Sequence, residues 1–268
     1  MNKENDYLIV RDLSVGYSKE KIISSGINFR VSAGLTGIIG LNGSGKSTFL
    51  KTLAGIVHAL SGEVCFNELS LFGSGRNQLM SKIFSVVLTE KISTPYFTVF
   101  DWVSAGRSQY TNFLGALQTE DKFKIEEAIS ACGITGLKDD FFNELSDGQK
   151  QKCRIARAIA QDTPVILLDE PTTYLDFKSR FEIISLLRNL SDEKNKIILF
   201  SSHDINLIFQ CTDQCLLFGE NSDTKMILKK DYDNSVEIAE MLNRFSFNSF
   251  SSFSTSQHIN TNSSESAS

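Results

Sequence analysis

No run of about 18 consecutive apolar residues occurs anywhere in the 268-residue chain, so the sequence offers no membrane-spanning helix. The opening residues, MNKENDYLIV, carry charge without the long apolar stretch that a secretory leader needs. The expectation is a chain that neither crosses a membrane nor is exported. Basic residues are not in excess: 27 Lys and Arg stand against 32 Asp and Glu, a formal net charge of −5. They form no stripe that would track a polynucleotide backbone, so nucleic acid is not an expected partner. Cysteine is sparse and odd in number. Cys65, Cys132, Cys153, Cys211 and Cys215 are scattered through apolar segments, as the reduced, buried thiols of a cytoplasm are. Only Cys211 and Cys215 lie close together, and no second Cys or His pair nearby completes a zinc set. No internal repeat is visible.

What is present is enough for one sizeable core with a small appended subdomain, since 41% of the residues are apolar and 22% charged. Residues 7–13 (YLIVRDL) and 27–31 (INFRV) mix apolar and polar positions as partly exposed strands do, with a turn-rich stretch between them. They predict an antiparallel edge. LTGIIG at 35–40 is continuously apolar, as a strand covered on both faces is, and STFLKTLAGIV after the next loop has helical spacing. SKIFSVVL at 81–88 predicts a second buried strand. Helical periodicity follows at Val99, Trp102 and Val103 and again over 120–132, with Phe123, Ile125, Ala128 and Ile129 as the apolar face. This predicts a helical subdomain inserted at about 95–145. Alternation then resumes, with a helix around 148–161, a strand at 165–169, a helix at 178–190, a strand at 196–201 and a helix near 204–211. Such alternation predicts a mainly parallel sheet with ligands at the carboxyl ends of its strands. From Arg244 onward the Ser- and Asn-rich segment is expected to be disordered, so the ordered domain is placed at 1–243 and the tail at 244–268. Phe245, Phe247, Phe250 and Phe253 are the tail groups able to dock instead.

Two motifs carry chemistry by their own spacing. Gly40-Leu41-Asn42-Gly43-Ser44-Gly45-Lys46-Ser47, with Thr48 next, fits the phosphate-loop pattern between a strand and a helix. Its glycines let the backbone curl so that N–H groups converge on phosphate oxygens, and the helix start adds the positive end of its dipole. Lys46 would reach the β- and γ-phosphates, and the Ser47 hydroxyl would ligate Mg²⁺. Val165-Ile166-Leu167-Leu168 buries a strand that delivers Asp169 and Glu170 at its end. Asp169 is suited to hold Mg²⁺ through water, and Glu170 to act as general base toward the attacking water. The fold class is therefore α/β: a phosphate-loop NTPase core with a mainly parallel sheet, an N-terminal antiparallel β portion and the inserted helical subdomain.

Leu145-Ser146-Asp147-Gly148-Gln149, closely followed by the helix QKQKCRIARAIA and the strand ending at Asp169, resembles the LSGGQ signature of the ATP-binding-cassette family. The resemblance extends over most of residues 7–220. It implies ATP and Mg²⁺ as ligands and a head-to-tail homodimer in which Ser146, Gly148 and Gln149 of one subunit close over the nucleotide on the other's phosphate loop. A helix start offers free N–H groups for that use, whereas Asp147, where the family has glycine, should point away from phosphate or cap the helix. It further implies that Tyr17 stacks on adenine, that Asp176 faces the opposite subunit, and that His203 contacts the γ-phosphate. His58 and His258 match nothing and read as surface residues. The family's magnesium-contacting glutamine falls at Val87-Leu88-Thr89-Glu90, where Glu90 or Thr89 takes its place.

PTTYLD at 171–176 and TVFDWVSAGRSQY at 98–110 are similar to ATPases of metal-chelate importers for siderophores, haem or cobalamin. That resemblance implies integral-membrane permease subunits as partners, a substrate-binding protein indirectly, and a place on the cytoplasmic face of the membrane. A soluble ATPase that remodels macromolecules is the rival reading, but two fused cassettes or a long coiled-coil insertion are missing. A non-hydrolytic regulator is another, and it would be expected to have lost Lys46, Glu170 or His203.

Overall fold

A computed structural model of the chain describes residues 6–73, 77–89, 96–111, 115–219 and 224–232. Glu90 and the tail after residue 244 lie outside the described residues. Two sheets carry the architecture. The first is antiparallel, with strand order β2-β1-β4-β5, built from β1 (Tyr7–Ser18), β2 (Lys21–Ser32), β4 (Ser61–Phe66) and β5 (Leu69–Ser70). The second has the order β10-β9-β3-β8-β7-β6, from β3 (Gly34–Gly40), β6 (Phe84–Val87), β7 (Val165–Leu168), β8 (Ile197–Ser201), β9 (Gln214–Phe218) and β10 (Thr224–Leu228). All its pairings are parallel except that of β10 with β9.

Alternation along the central strands explains why both faces of the second sheet are covered. In β8, Ile197 and Leu199 join one core while Ile198 and Phe200 join the other, and in β7 Val165 and Leu167 oppose Ile166 and Leu168 in the same way. The first core also receives β1 and β2 together with α1 (Lys46–Leu53) and α2 (Asn77–Ile83). The second receives α3 (Val99–Ser104), α4 (Thr119–Ala131), α5 (Asp147–Ala160), α6 (Phe177–Lys194) and α7 (Ile205–Cys211). Within it the Trp102 and Phe142 rings stack at 4.1 Å, and the Arg157 guanidinium lies 4.8 Å from the Trp102 ring.

Three local expectations are corrected. The stretch between residues 13 and 27 is not turn-rich: β1 and β2 continue as one long hairpin that Ser18 and Lys21 close. Residues 81–83 end helix α2, and the strand begins only at Phe84. Phe123 is not on the buried face of α4; it is 67% exposed, while Ile125, Ala128 and Ile129 are buried. A lone phenylalanine on a charged helix surface satisfies helical spacing as well as a core residue does, so periodicity could not separate it. All five cysteines are free thiols, and burial pushes Cys153, Cys211 and Cys215 up to about 12, in line with their apolar setting.

A candidate nucleotide site at the carboxyl edge of the sheet

The second sheet places β3, β8 and β7 side by side, so the chain emerging from each reaches one edge together. From β3 comes the loop 40–45. Gly43 and Gly45 take left-handed backbone angles (φ 83° and 101°), and a Cβ on Gly45 would stand 2.2 Å from the Ile23 Cγ2 of β2. A Cβ on Gly40 would strike the Ser44 Oγ at 2.4 Å. Glycine is therefore required by both angle and space. The first helical hydrogen bond of α1 runs from Phe49 N to Gly45 O, 2.8 Å. The N–H groups of Lys46, Ser47 and Thr48 precede it and lack an acceptor within the helix. Ser47 and Asn42 are exposed, and Thr48 is buried.

The Lys46 side chain folds back over this loop, donating from Nζ to Gly40 O (2.8 Å) and Leu41 O (3.0 Å). Burial lowers its pKa, and the charges of Glu170 and Asp169 oppose that shift. Asp169, at the end of β7, is only 2% exposed. Its Oδ1 accepts from Ser201 Oγ at 2.7 Å and its Oδ2 from Thr89 Oγ1 at 3.4 Å. The next residue, Glu170, has a left-handed φ of 49°, uncommon for a side chain with a Cβ. Three contacts hold it there. Its N–H donates to Ser201 Oγ (2.9 Å), while Oε2 accepts from Thr173 Oγ1 (3.1 Å) and lies 2.8 Å from His203 Nδ1. Among the described residues nothing donates to Oε1.

Lys46, Asp169, Glu170 and His203 are thus gathered at one edge, with Ser201 of β8 between the two carboxylates. Ser201 and Thr173 were not singled out in the sequence. The only signal for Ser201 was its place one residue past an apolar run, shared by many strand ends. The residues 145–149 stand apart as the start of α5: Ser146 Oγ accepts from Gln149 N at 3.3 Å and Gln149 Oε1 from Ser146 N at 2.9 Å. This reciprocal pair caps the helix. The cap is Ser146 and not Asp147, which lies exposed in the first turn. A Cβ on Gly148 would meet Leu175 Cδ2 at an ordinary 3.4 Å, so nothing within the described chain demands glycine there. Asp176 caps α6 by accepting from Ser179 N (2.7 Å). Tyr17, one residue before the end of β1, is 66% exposed.

The site fits a magnesium nucleotide on its own chemistry. Ser44 Oγ is buried with no hydrogen-bond partner among the described residues, and it lies just before a helix whose first N–H groups have no intrahelical acceptor. A carboxylate as buried as Asp169, met by two neutral hydroxyls, is stabilised by a nearby cation, and the oxygens of Ser47 and Asp169 are the hard donors Mg²⁺ takes. Among the described residues no cluster of three His, Cys, Asp or Glu could hold a metal. Magnesium in phosphate-transfer sites needs only one or two protein oxygens beside phosphate and water.

A parallel sheet with a glycine-rich loop before α1, an acidic strand end and a capped signature helix defines a phosphate-loop NTPase of the cassette type. The comparisons with known proteins agree. A model described as ABC transporter matches residues 24–173, more than half of the chain, and an AAA-domain model matches residues 140–208. An ABC transporter ATP-binding protein of Methanocaldococcus jannaschii, itself uncharacterized, is 38% identical over 237 residues, 88% of this chain and 80% of that one. The iron(3+)-hydroxamate import ATP-binding protein of Bacillus subtilis is 35% identical over 201 residues, 74% of each. Among solved structures, an ABC transporter assigned to the metal-chelate type, in an inward-facing conformation, aligns with a TM-score of 0.73 and 29% identity, covering 85% of each chain. The chain belongs to the ABC transporter family and is one of its ATP-binding, ATP-hydrolysing domains. Among the described residues no helix is long and apolar enough to cross a membrane.

Proposed function

We propose that this chain is the ATPase subunit of an importer for a metal chelate, working as a head-to-tail homodimer on the cytoplasmic face of the membrane. The observation that carries the catalytic part is the meeting of Lys46, Asp169, Glu170 and His203 at the end of three adjacent parallel strands. ATP binds with its phosphates on the N–H groups of loop 40–45 and of α1, with Lys46 Nζ swinging from the loop carbonyls to the terminal phosphates. Tyr17 supports the adenine. Ser47 and Asp169, with Glu90 or Thr89, would hold Mg²⁺, which would supply neutralisation of phosphate charge. Glu170 is anchored through Oε2 by His203 and Thr173, so Oε1 is the atom that takes the proton from the attacking water. His203, once the γ-phosphate arrives, turns between that group and Glu170.

The partner roles rest on different support. Gly148 has room for a side chain within its own subunit, so its glycine is explained by the approach of a nucleotide held by a second copy. Ser146, Gln149 and Asp176 act at that same junction. The cargo class follows from relatives that import iron(3+)-hydroxamate or are assigned to the metal-chelate type. Permease subunits and, through them, a substrate-binding protein are the remaining partners. The tail after residue 244 is dispensable for the nucleotide chemistry.

The direct test separates binding from hydrolysis. Lys46→Ala should weaken MgATP binding at least tenfold through loss of a charge-assisted contact. Glu170→Gln should bind MgATP with wild-type affinity, lose steady-state turnover and accumulate an ATP-bound dimer in gel filtration. A Glu170→Gln variant that turns over at the wild-type rate removes Glu170 as the base.

A further inference from the structure

Lys21 lies outside the motifs, yet its cation stands against a side chain of the proposed nucleotide site. It begins β2 across a two-residue turn, and its Nζ stands 5.4 Å from the centroid of the Tyr17 ring. Its backbone is closely held: a Cβ on Gly16 would stand 2.4 Å from Lys21 O, so only a glycine in β1 permits this approach. Two residues further along β2, Ile23 presses on Gly45 of the phosphate loop. The hairpin end is therefore registered against the loop that receives the phosphates. Among the described residues Lys21 has no carboxylate partner, and the aromatic face is what its ammonium meets.

Resting on the reading of Tyr17 as the adenine platform, we propose that Lys21 is a positioning residue for the nucleotide. Its ammonium covers one face of the Tyr17 ring by a cation–π contact, which holds the ring against the hairpin and leaves the opposite face for the base. A platform fixed before binding loses less side-chain freedom when the base arrives. Lys21 acts through Tyr17 and does not touch phosphate.

The test is a double-mutant cycle on the full chain, with Kd measured by calorimetry for a non-hydrolysable MgATP analogue and, separately, for magnesium tripolyphosphate, which has no base. Lys21→Ala should weaken the nucleotide about two- to fivefold, the range for an exposed cation–π contact. It should leave tripolyphosphate unchanged, and it should have no effect on the Tyr17→Ala background. Lys21→Arg should retain wild-type affinity. An unchanged nucleotide Kd in Lys21→Ala overturns the proposal, and so does a tighter one, which would put the ammonium on the face the base needs. Equal losses for nucleotide and tripolyphosphate, or a loss that persists without Tyr17, would make Lys21 a phosphate contact instead. If Tyr17→Ala alone leaves nucleotide affinity intact, the platform reading itself fails, whereas a loss in Tyr17→Ala with none in Lys21→Ala overturns the Lys21 proposal alone.

Discussion

Ser201 shows how much of this site depends on one side chain that no motif marks. Its hydroxyl donates to Asp169 Oδ1 and accepts from Glu170 N, so a single oxygen fixes the orientation of one carboxylate and the strained backbone of the next. Both residues directly follow β7, while Ser201 ends β8, and the pairs Leu167 with Leu199 and Leu168 with Phe200 set its height. Ser201→Ala should leave Asp169 with one distant hydroxyl partner, the 3.4 Å contact from Thr89, and Glu170 free to leave its left-handed conformation. We expect kcat to fall about 10- to 100-fold, in the range for loss of a group that orients a site residue, with a smaller change in KM. Single-turnover ATPase assays of the variant decide this, and an unchanged kcat would show that Glu170 needs no such brace.

The helices α3, α4 and α5 meet around an ion pair that hydrophobic periodicity could not indicate. Arg107 Nε donates to Asp121 Oδ1 at 2.9 Å with side-chain exposures of 6% and 5%, and its Nη1 donates to Ala160 O at 3.0 Å. Asp121 also accepts from Gln118 N at 2.9 Å, so one carboxylate caps the start of α4 and receives the arginine that caps the end of α5. The Tyr110 ring covers the guanidinium at 3.9 Å. Removing either partner strands a buried charge and opens a helix end. Arg107→Ala should therefore cost about 3 kcal/mol or more in chemical denaturation, against about 1 kcal/mol for loss of the exposed cap in Ser146→Ala. The two variants should differ in kind as well. Ser146→Ala should impair ATPase activity in the assembled dimer with little loss of stability, and the opposite outcome would assign Ser146 to folding alone.

At the scale of the molecule, the residues around loop 40–45 and those at the start of α5 belong to different helix starts, and the hydrogen bonds of Ser146 and Gln149 remain within their own. In the proposed head-to-tail homodimer, a site built from both is completed by a second copy. Chains carrying Lys46→Ala and chains carrying Ser146→Arg, each inactive alone, should regain part of the ATPase activity when mixed, because one of the two shared sites in a heterodimer is free of lesions. In an otherwise cysteine-free background, Ser44→Cys and Ser146→Cys should crosslink between subunits only when ATP is present. A crosslink confined to single chains would exclude the head-to-tail dimer.

Local chemistry was legible in the residues themselves. A phosphate loop needs glycine angles and a lysine at a fixed spacing along one continuous stretch, and a buried strand needs an apolar run, so Gly43, Gly45, Lys46, Asp169 and Glu170 were readable without knowing any neighbour. The same reasoning failed for Phe123 and for the start of β6, where a helix and a strand share an apolar sequence. Long-range pairing was a different matter. That β8 lies between β3 and β7, that Ser201 bridges Asp169 to Glu170, and that Arg107 reaches across to Asp121 and Ala160 all depend on the packing of segments apart in the chain. Register is set by the packing of two cores on opposite faces of one sheet, and that packing is a property of the folded chain as a whole.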